Sequence, residues 1–213
     1  PLKKYRRHIF LLHPNKVVIY DELEANEKVR WDWLLHSPVK FDINPAASIL
    51  TTVNKEKGFS SVVQLFCEQE AAITQTDKYA APPNHADAQR GEDFTDPWSL
   101  TASFGPSRNN RILTIIQVEA DGRQAVQIMR EGNTFRCGEW VIEAELNAKR
   151  PGRLYIRNSR NNAVFSYGDK KPEINGELYS CKEKDASVLF DCVNGEWMVQ
   201  EMGDQRVQTM GKW

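Results

Sequence analysis

The stretch Val29-Arg30-Trp31-Asp32-Trp33-Leu34-Leu35-His36 alternates. Val29, Trp31, Trp33 and Leu35 make one apolar face, while Arg30, Asp32 and His36 take the other and Leu34 is the exception. Side chains of a β-strand point to opposite faces in turn, so period two marks a strand with one dry face. Trp98-Ser99-Leu100-Thr101-Ala102-Ser103-Phe104 alternates without a break, and Trp140, Ile142, Ala144 and Leu146 repeat the pattern. Leu154 and Ile156 do so opposite Arg153, Tyr155 and Arg157. Ile112-Leu113-Thr114-Ile115-Ile116-Gln117-Val118 is apolar on both faces, as expected of a strand deeper in a sheet.

Between these runs stand turn residues. His13-Pro14-Asn15-Lys16 joins two apolar runs as a hairpin, and Gly105-Pro106-Ser107-Arg108-Asn109-Asn110 reads as the same kind of joint between strands near 98–104 and 111–118. Asp121-Gly122, Glu131-Gly132-Asn133, Pro151-Gly152, Ser159-Arg160-Asn161-Asn162 and Asn194-Gly195 punctuate the rest. Strands at intervals of 8 to 15 residues predict an all-β fold, a two-layer antiparallel β-sandwich. The segment from Ser60 to Ile73 could form a helical stripe through Val62, Phe66 and Ile73. Val62, Val63 and Phe66 favour a strand over 60–67 instead. Residues 77–97 hold three prolines and no period, which predicts a long loop, solvated or docked. The expected organisation is one domain over 1–213, with a connection at 168–176 that could divide a main sandwich from a terminal strand set.

The chain has 213 residues, with 28 Lys and Arg against 29 Asp and Glu, a net charge of −1. That balance argues against an overall electrostatic grip on nucleic acid. No apolar run approaches the ~18 residues of a membrane helix. The expected partners therefore include neither nucleic acid nor membrane. Cys67, Cys137, Cys181 and Cys192 lack zinc spacing and lie in or beside apolar stretches, which favours buried free thiols. If one bridge forms, Cys181–Cys192 is the best pair. The start at Pro1, running straight into a strand, reads as a fragment of a larger multidomain protein or a processed product, with any targeting signal upstream.

No catalytic constellation is visible. His8, His13, His36 and His85 form neither an HExxH nor an HxH pair, so no metal site and no cofactor are called for. The long loop carries His85, Asp87, Glu92, Asp93 and Asp96 without the order of a calcium loop. One electrostatic feature stands out: between Glu145 and Asp169 there is no acidic residue, whereas Lys149, Arg150, Arg153, Arg157 and Arg160 all fall there. Arg153, Tyr155 and Arg157 make a guanidinium–aromatic–guanidinium strip. Guanidinium forks suit carboxylate and sulfate oxygens, so the strip is the candidate substrate-binding set for an acidic polysaccharide. The competing reading is an ordinary outward sheet face.

The run Arg7-His8-Ile9-Phe10-Leu11-Leu12-His13-Pro14-Asn15-Lys16-Val17-Val18-Ile19-Tyr20-Asp21-Glu22-Leu23-Glu24-Ala25, followed by Trp33-Leu34-Leu35-His36-Ser37, resembles the C-terminal β-sheet region of heparinase II/III-like polysaccharide lyases. Trp98-Ser99-Leu100-Thr101-Ala102 and Ile112-Leu113-Thr114-Ile115-Ile116 are similar to that family's later strands; the resemblance covers about residues 5–130 well and the rest loosely. It implies an α-helical toroid followed by β-sandwich domains, in periplasmic or secreted enzymes that cleave uronic-acid-containing polysaccharide by β-elimination. The family's Tyr/His machinery and zinc lie before the matched run. No position here matches them, and His36 corresponds to a structural histidine. The resemblance therefore implies an accessory C-terminal domain, inactive alone, whose partner is the upstream catalytic domain of the same polypeptide. The alternative is a stand-alone carbohydrate-binding module for acidic glycans acting through Arg153, Tyr155 and Arg157.

Overall fold

The computed structural model describes residues 2–78, 97–120, 123–158, 163–169, 172–174, 177–181, 186–193, 196–202 and 207–212. Among them the chain is all-β and antiparallel, the class the alternation predicts, and its one helical piece is a 3-10 turn at Pro45–Ala47. It divides into two compact units, Pro1–Ala125 and Val126–Trp213. The 168–176 connection falls inside the second unit.

The first unit contains β1 (Leu2–Leu12), β2 (Lys16–Ser37), β3 (Asp42–Asn44), β4 (Ile49–Asn54), β5 (Phe59–Phe66), β6 (Ala71–Thr76) and β7 (Trp98–Ala120). The sheet order is β1-β2-β7-β5-β4-β3, with β6 also on β7. The hairpin at 13–15 and the strand at 59–66 agree with the sequence reading. The reading of 105–110 as a turn is corrected: β7 runs unbroken for 23 residues against a 22-residue β2. The two strands stay paired through this region, with Glu24 opposite Asn109 and Val29 opposite Ser107, and the register shifts between them. Extra residues on one strand of a pair make it bulge and bend. Gly105 and Pro106 thus sit at a bend shared by two paired strands, and Trp31 Nε1 pins it by donating to Ser107 O (3.2 Å) and Oγ (3.1 Å).

The bend makes the core. An unbent strand would hold Leu100 and Ile116 roughly 50 Å apart, yet both belong to one packed cluster. That cluster joins Leu23 and Ile112 from one side of the bend to Trp31, Trp33, Leu100, Ala102 and Phe104 from the other, with Leu50, Val63 and Leu65. The unit is therefore a single sheet folded back on itself by strands that pass from one layer to the other. β6 widens the folded-back layer, and the Gln75 amide clamps the backbone of Phe41 through Nε2–H to O (2.9 Å) and Oε1 from N–H (3.1 Å). Full burial of each large side chain in such a core contributes about 1.5–3 kcal/mol. Trp31 and Trp33 are core, as their alternation implies, Trp98 packs half-buried against the same cluster, and Leu34, the exception in the pattern, is exposed.

The second unit contains β8 (Met129–Glu131), β9 (Thr134–Cys137), β10 (Trp140–Ala144), β11 (Leu154–Asn158), β12 (Ala163–Tyr167), β15 (Ser187–Val193), β16 (Glu196–Met202) and β17 (Val207–Lys212), a sheet in the order β17-β16-β15-β12-β11-β10-β9-β8. A separate two-stranded ribbon, β13 (Glu173–Ile174) with β14 (Glu177–Leu178), interrupts the chain between β12 and β15. Trp140, Ile142, Ala144, Leu146, Leu154 and Ile156 are all buried, as period two requires. The four cysteines are free, Cys137 fully buried and the others half-buried; the alternative Cys181–Cys192 bridge does not form.

Candidate functional site

On β11, Leu154, Ile156 and Asn158 are buried, which sends Arg153, Tyr155 and Arg157 to the opposite face. The strip is thus brought together, but most of it is already engaged. Arg153 Nε lies 2.9 Å from Asp169 Oδ2. Glu143 stands directly across from Tyr155 on β10. A hollow of about 80 Å³ beside Arg153 is lined by Asn133, Glu143, Ala144 and Glu145. Arg150 approaches Glu145 at 3.5 Å. Arg150 and Arg153 are therefore met by carboxylates arriving from neighbouring strands and turns, while Arg157 stands on the same face as Arg153. Tyr155 is half-buried and packs against Val164, Tyr179, Val188, Phe190 and Val199. Burial, the largest influence, pushes its phenol pKa up. Tyr179 closes this small core edge-on to Phe190, and its hydroxyl donates to Glu201 Oε2 at 3.1 Å. Arg160 and the loop residues His85, Asp87, Glu92, Asp93 and Asp96 lie outside the described residues.

The described histidines, His8, His13 and His36, are dispersed. His36 sits on β2 with Nε2 3.3 Å from Ser99 Oγ, and His13 stands in the β1–β2 turn. His8 on β1 stacks between Phe10 and Tyr20, each 6.3 Å away between ring centroids. Burial lowers its pKa to about 4; Arg6 and Lys4 add to the shift and Glu22 opposes it. Among the described residues no group of three or more His, Cys, Asp or Glu is placed to hold a metal ion.

The first unit holds a denser set of charges. Antiparallel pairing about the hairpin sets Arg7 opposite Asp21, and Arg6 opposite Glu22, which in turn faces Arg111 on β7. Arg7 grips Asp21 bidentately, Nε to Oδ1 at 2.6 Å and Nη2 to Oδ2 at 2.9 Å. Burial pushes the Asp21 carboxyl above its ordinary pKa against the opposing pull of Arg7. Arg111 and Glu22 are each 2% exposed and 2.8 Å apart. Lys4 reaches the other Glu22 oxygen at 2.7 Å, and Arg111 also donates to the backbone carbonyl of Asn110 at 3.0 Å.

Where β2 turns from one layer to the other, a cavity of about 210 Å³ opens, lined by Leu2, Tyr5, Arg7, Asp21, Leu23, Trp31, Asp32, Trp33 and Ile112. Asp21 is buried in its wall at 1% exposure, while Leu2 and Tyr5 are more than half exposed. The Arg7 guanidinium lies 5.7 Å from the centre of the Tyr5 ring. The Asp32 carboxylate is held by Ser103 at 2.7 Å and by Arg30 at 2.9 Å. These hydrogen bonds, Ser103 first, keep its pKa below the ordinary value. Trp33 is 3% exposed, and its buried Nε1–H has no acceptor among the described residues.

Alternation places Trp31 and Trp33 in the core and says nothing of Arg7 and Asp21. A signal was present: basic residues before the His13-Pro14 hairpin and acidic ones after it stand at equal distances from the turn, the spacing that pairs them across two strands. The cavity itself depends on the bend, which local pattern does not report. Compared with protein-family models and with curated proteins, the sequence matches none.

Proposed function

We propose that this chain is an accessory, non-catalytic β-sheet domain of a periplasmic or secreted heparinase II/III-like polysaccharide lyase. In this reading it buttresses a catalytic domain that cleaves uronic-acid-containing polysaccharide by β-elimination. One observation carries the reading. Four of the described charged or titratable side chains that could serve a site are held by a neighbour: Arg7 by Asp21, Arg111 by Glu22, Arg153 by Asp169, and His36 beside Ser99. β-Elimination needs a base within hydrogen-bond reach of a substrate proton and a group that neutralises the uronate. The described histidines, His8, His13 and His36, are separated, and Arg150 and Arg153 already have carboxylate partners. The strand motifs from Arg7 to Ser37 supply the resemblance on which the family rests.

The same pairing weighs against the alternative of a module gripping acidic glycans through Arg153, Tyr155 and Arg157. An anion there would have to displace Asp169 from Arg153, and Tyr155 is turned into a small core. The test is an assay of the purified chain with heparan sulfate, chondroitin sulfate and alginate, following ultraviolet absorbance of the unsaturated uronate product. No protein-dependent rise is expected with any of the three. A rise with one of them contradicts the proposal.

A further inference from the structure

The cavity at the bend of β2 is used by none of the above, and its composition points to a ligand class. We propose that it binds a single neutral pyranose ring, an inference that rests on the cavity alone and stands whether or not the chain belongs to a lyase.

Size sets the first limit. The cavity is about 210 Å³ and opens beside the exposed Leu2 and Tyr5, which gives room for one sugar ring inside it. The walls set the second. Leu2 and Tyr5, each more than half exposed, give the accessible apolar surface, with Leu23, Trp31, Trp33 and Ile112 buried behind it, and an aromatic face such as that of Tyr5 suits the C–H face of a sugar. Charge sets the third. Arg7 and Asp21 neutralise each other inside the cavity, and Asp32 is matched by Arg30. The lining carries two carboxylates against one guanidinium, which disfavours an anionic ligand, and a cationic one would have to compete with Arg7 for Asp21 and with Arg30 for Asp32. An uncharged polyol avoids both costs. The Arg7–Asp21 couple also still has bonding capacity. Asp21 accepts one hydrogen bond from Arg7 on each carboxylate oxygen, leaving a second lone pair on each, and the guanidinium retains Nη N–H groups. Adjacent hydroxyls donate to the first and accept from the second.

The test titrates the full chain with methyl glycosides of glucose, galactose, mannose and xylose, with methyl glucuronide and glucosamine as charged comparisons. Saturation-transfer NMR reads the sugar, and the backbone and indole resonances of Tyr5, Arg7, Trp31 and Trp33 read the protein. At least one neutral glycoside should bind saturably and move those resonances, with both charged sugars at least about tenfold weaker. Tyr5→Ala, at an exposed position, should weaken that glycoside about tenfold with an unchanged circular dichroism spectrum. If Tyr5→Ala fails to fold, the resonance shifts of the unaltered chain decide. The proposal is overturned if no neutral glycoside binds, if a charged sugar binds equally well, if the shifts map elsewhere, or if folded Tyr5→Ala binds like the parent.

Discussion

Replacing Arg111 with methionine should lower stability by about 3–5 kcal/mol, because it strands Glu22 inside the sheet. Both side chains are 2% exposed and lie directly opposite each other on β2 and β7. Removing one partner of a buried pair leaves the other charged and desolvated, and that penalty exceeds the lost attraction. Lys4, 28% exposed on its side chain, stays beside Glu22 and offsets part of the cost. Adding Glu22→Gln to Arg111→Met should recover much of the loss, since the stranded charge is gone. Urea denaturation of both variants, followed by tryptophan fluorescence, checks this. A single-variant loss below about 1 kcal/mol, the range of a solvent-exposed pair, would show that Arg111 and Glu22 are not buried together.

Acid should weaken the fold through His8. The folded chain keeps this imidazole neutral down to a pKa of about 4, whereas a histidine in an unfolded chain takes its proton near 6.5. Between those values the unfolded state holds more protons, so stability rises with pH across the window. Above about 6.5 this penalty is absent, and by about pH 4 it has grown to about 3 kcal/mol. Burial between Phe10 and Tyr20 is the main cause; Arg6 and Lys4 act in the same direction and Glu22 against it. Urea midpoints measured at intervals from pH 4 to 7 should fall toward acid, and His8→Phe should flatten the slope. An unchanged slope in His8→Phe would place the titrating group elsewhere.

What the sequence revealed and what it hid follow from the range of the forces involved. Alternation is local, so the strand at 29–36, the double-sided run at 112–118 and the buried series from Trp140 to Ile156 were legible from single stretches. Gly105-Pro106 misled because the same residues serve a turn or a bend. Which of the two forms depends on whether a partner strand continues past them, and here Val29 and Glu24 of β2 do. The Arg153 strip was legible as a face. Its neutralisation was not, since Asp169 arrives from beyond β12 and Glu143 from the strand before. Tyr155 looked like an exposed aromatic until the segment carrying Tyr179 packed beside it. The cavity joins Tyr5 and Arg7 of β1 to Trp31 and Trp33 of β2, residues brought together only by the fold-back.

That fold-back underlies the core, the cavity and the sugar inference alike, and it can be read directly from nuclear Overhauser contacts in solution. Cross-peaks are expected from the indole protons of Trp31 or Trp33 to methyl groups of Leu50, Val63 or Leu65, which share one cluster across the bend. Indole contacts confined to β6 and β7 neighbours, with none to these three residues, would mean that β2 and β7 run on without folding over, and would contradict the fold-back.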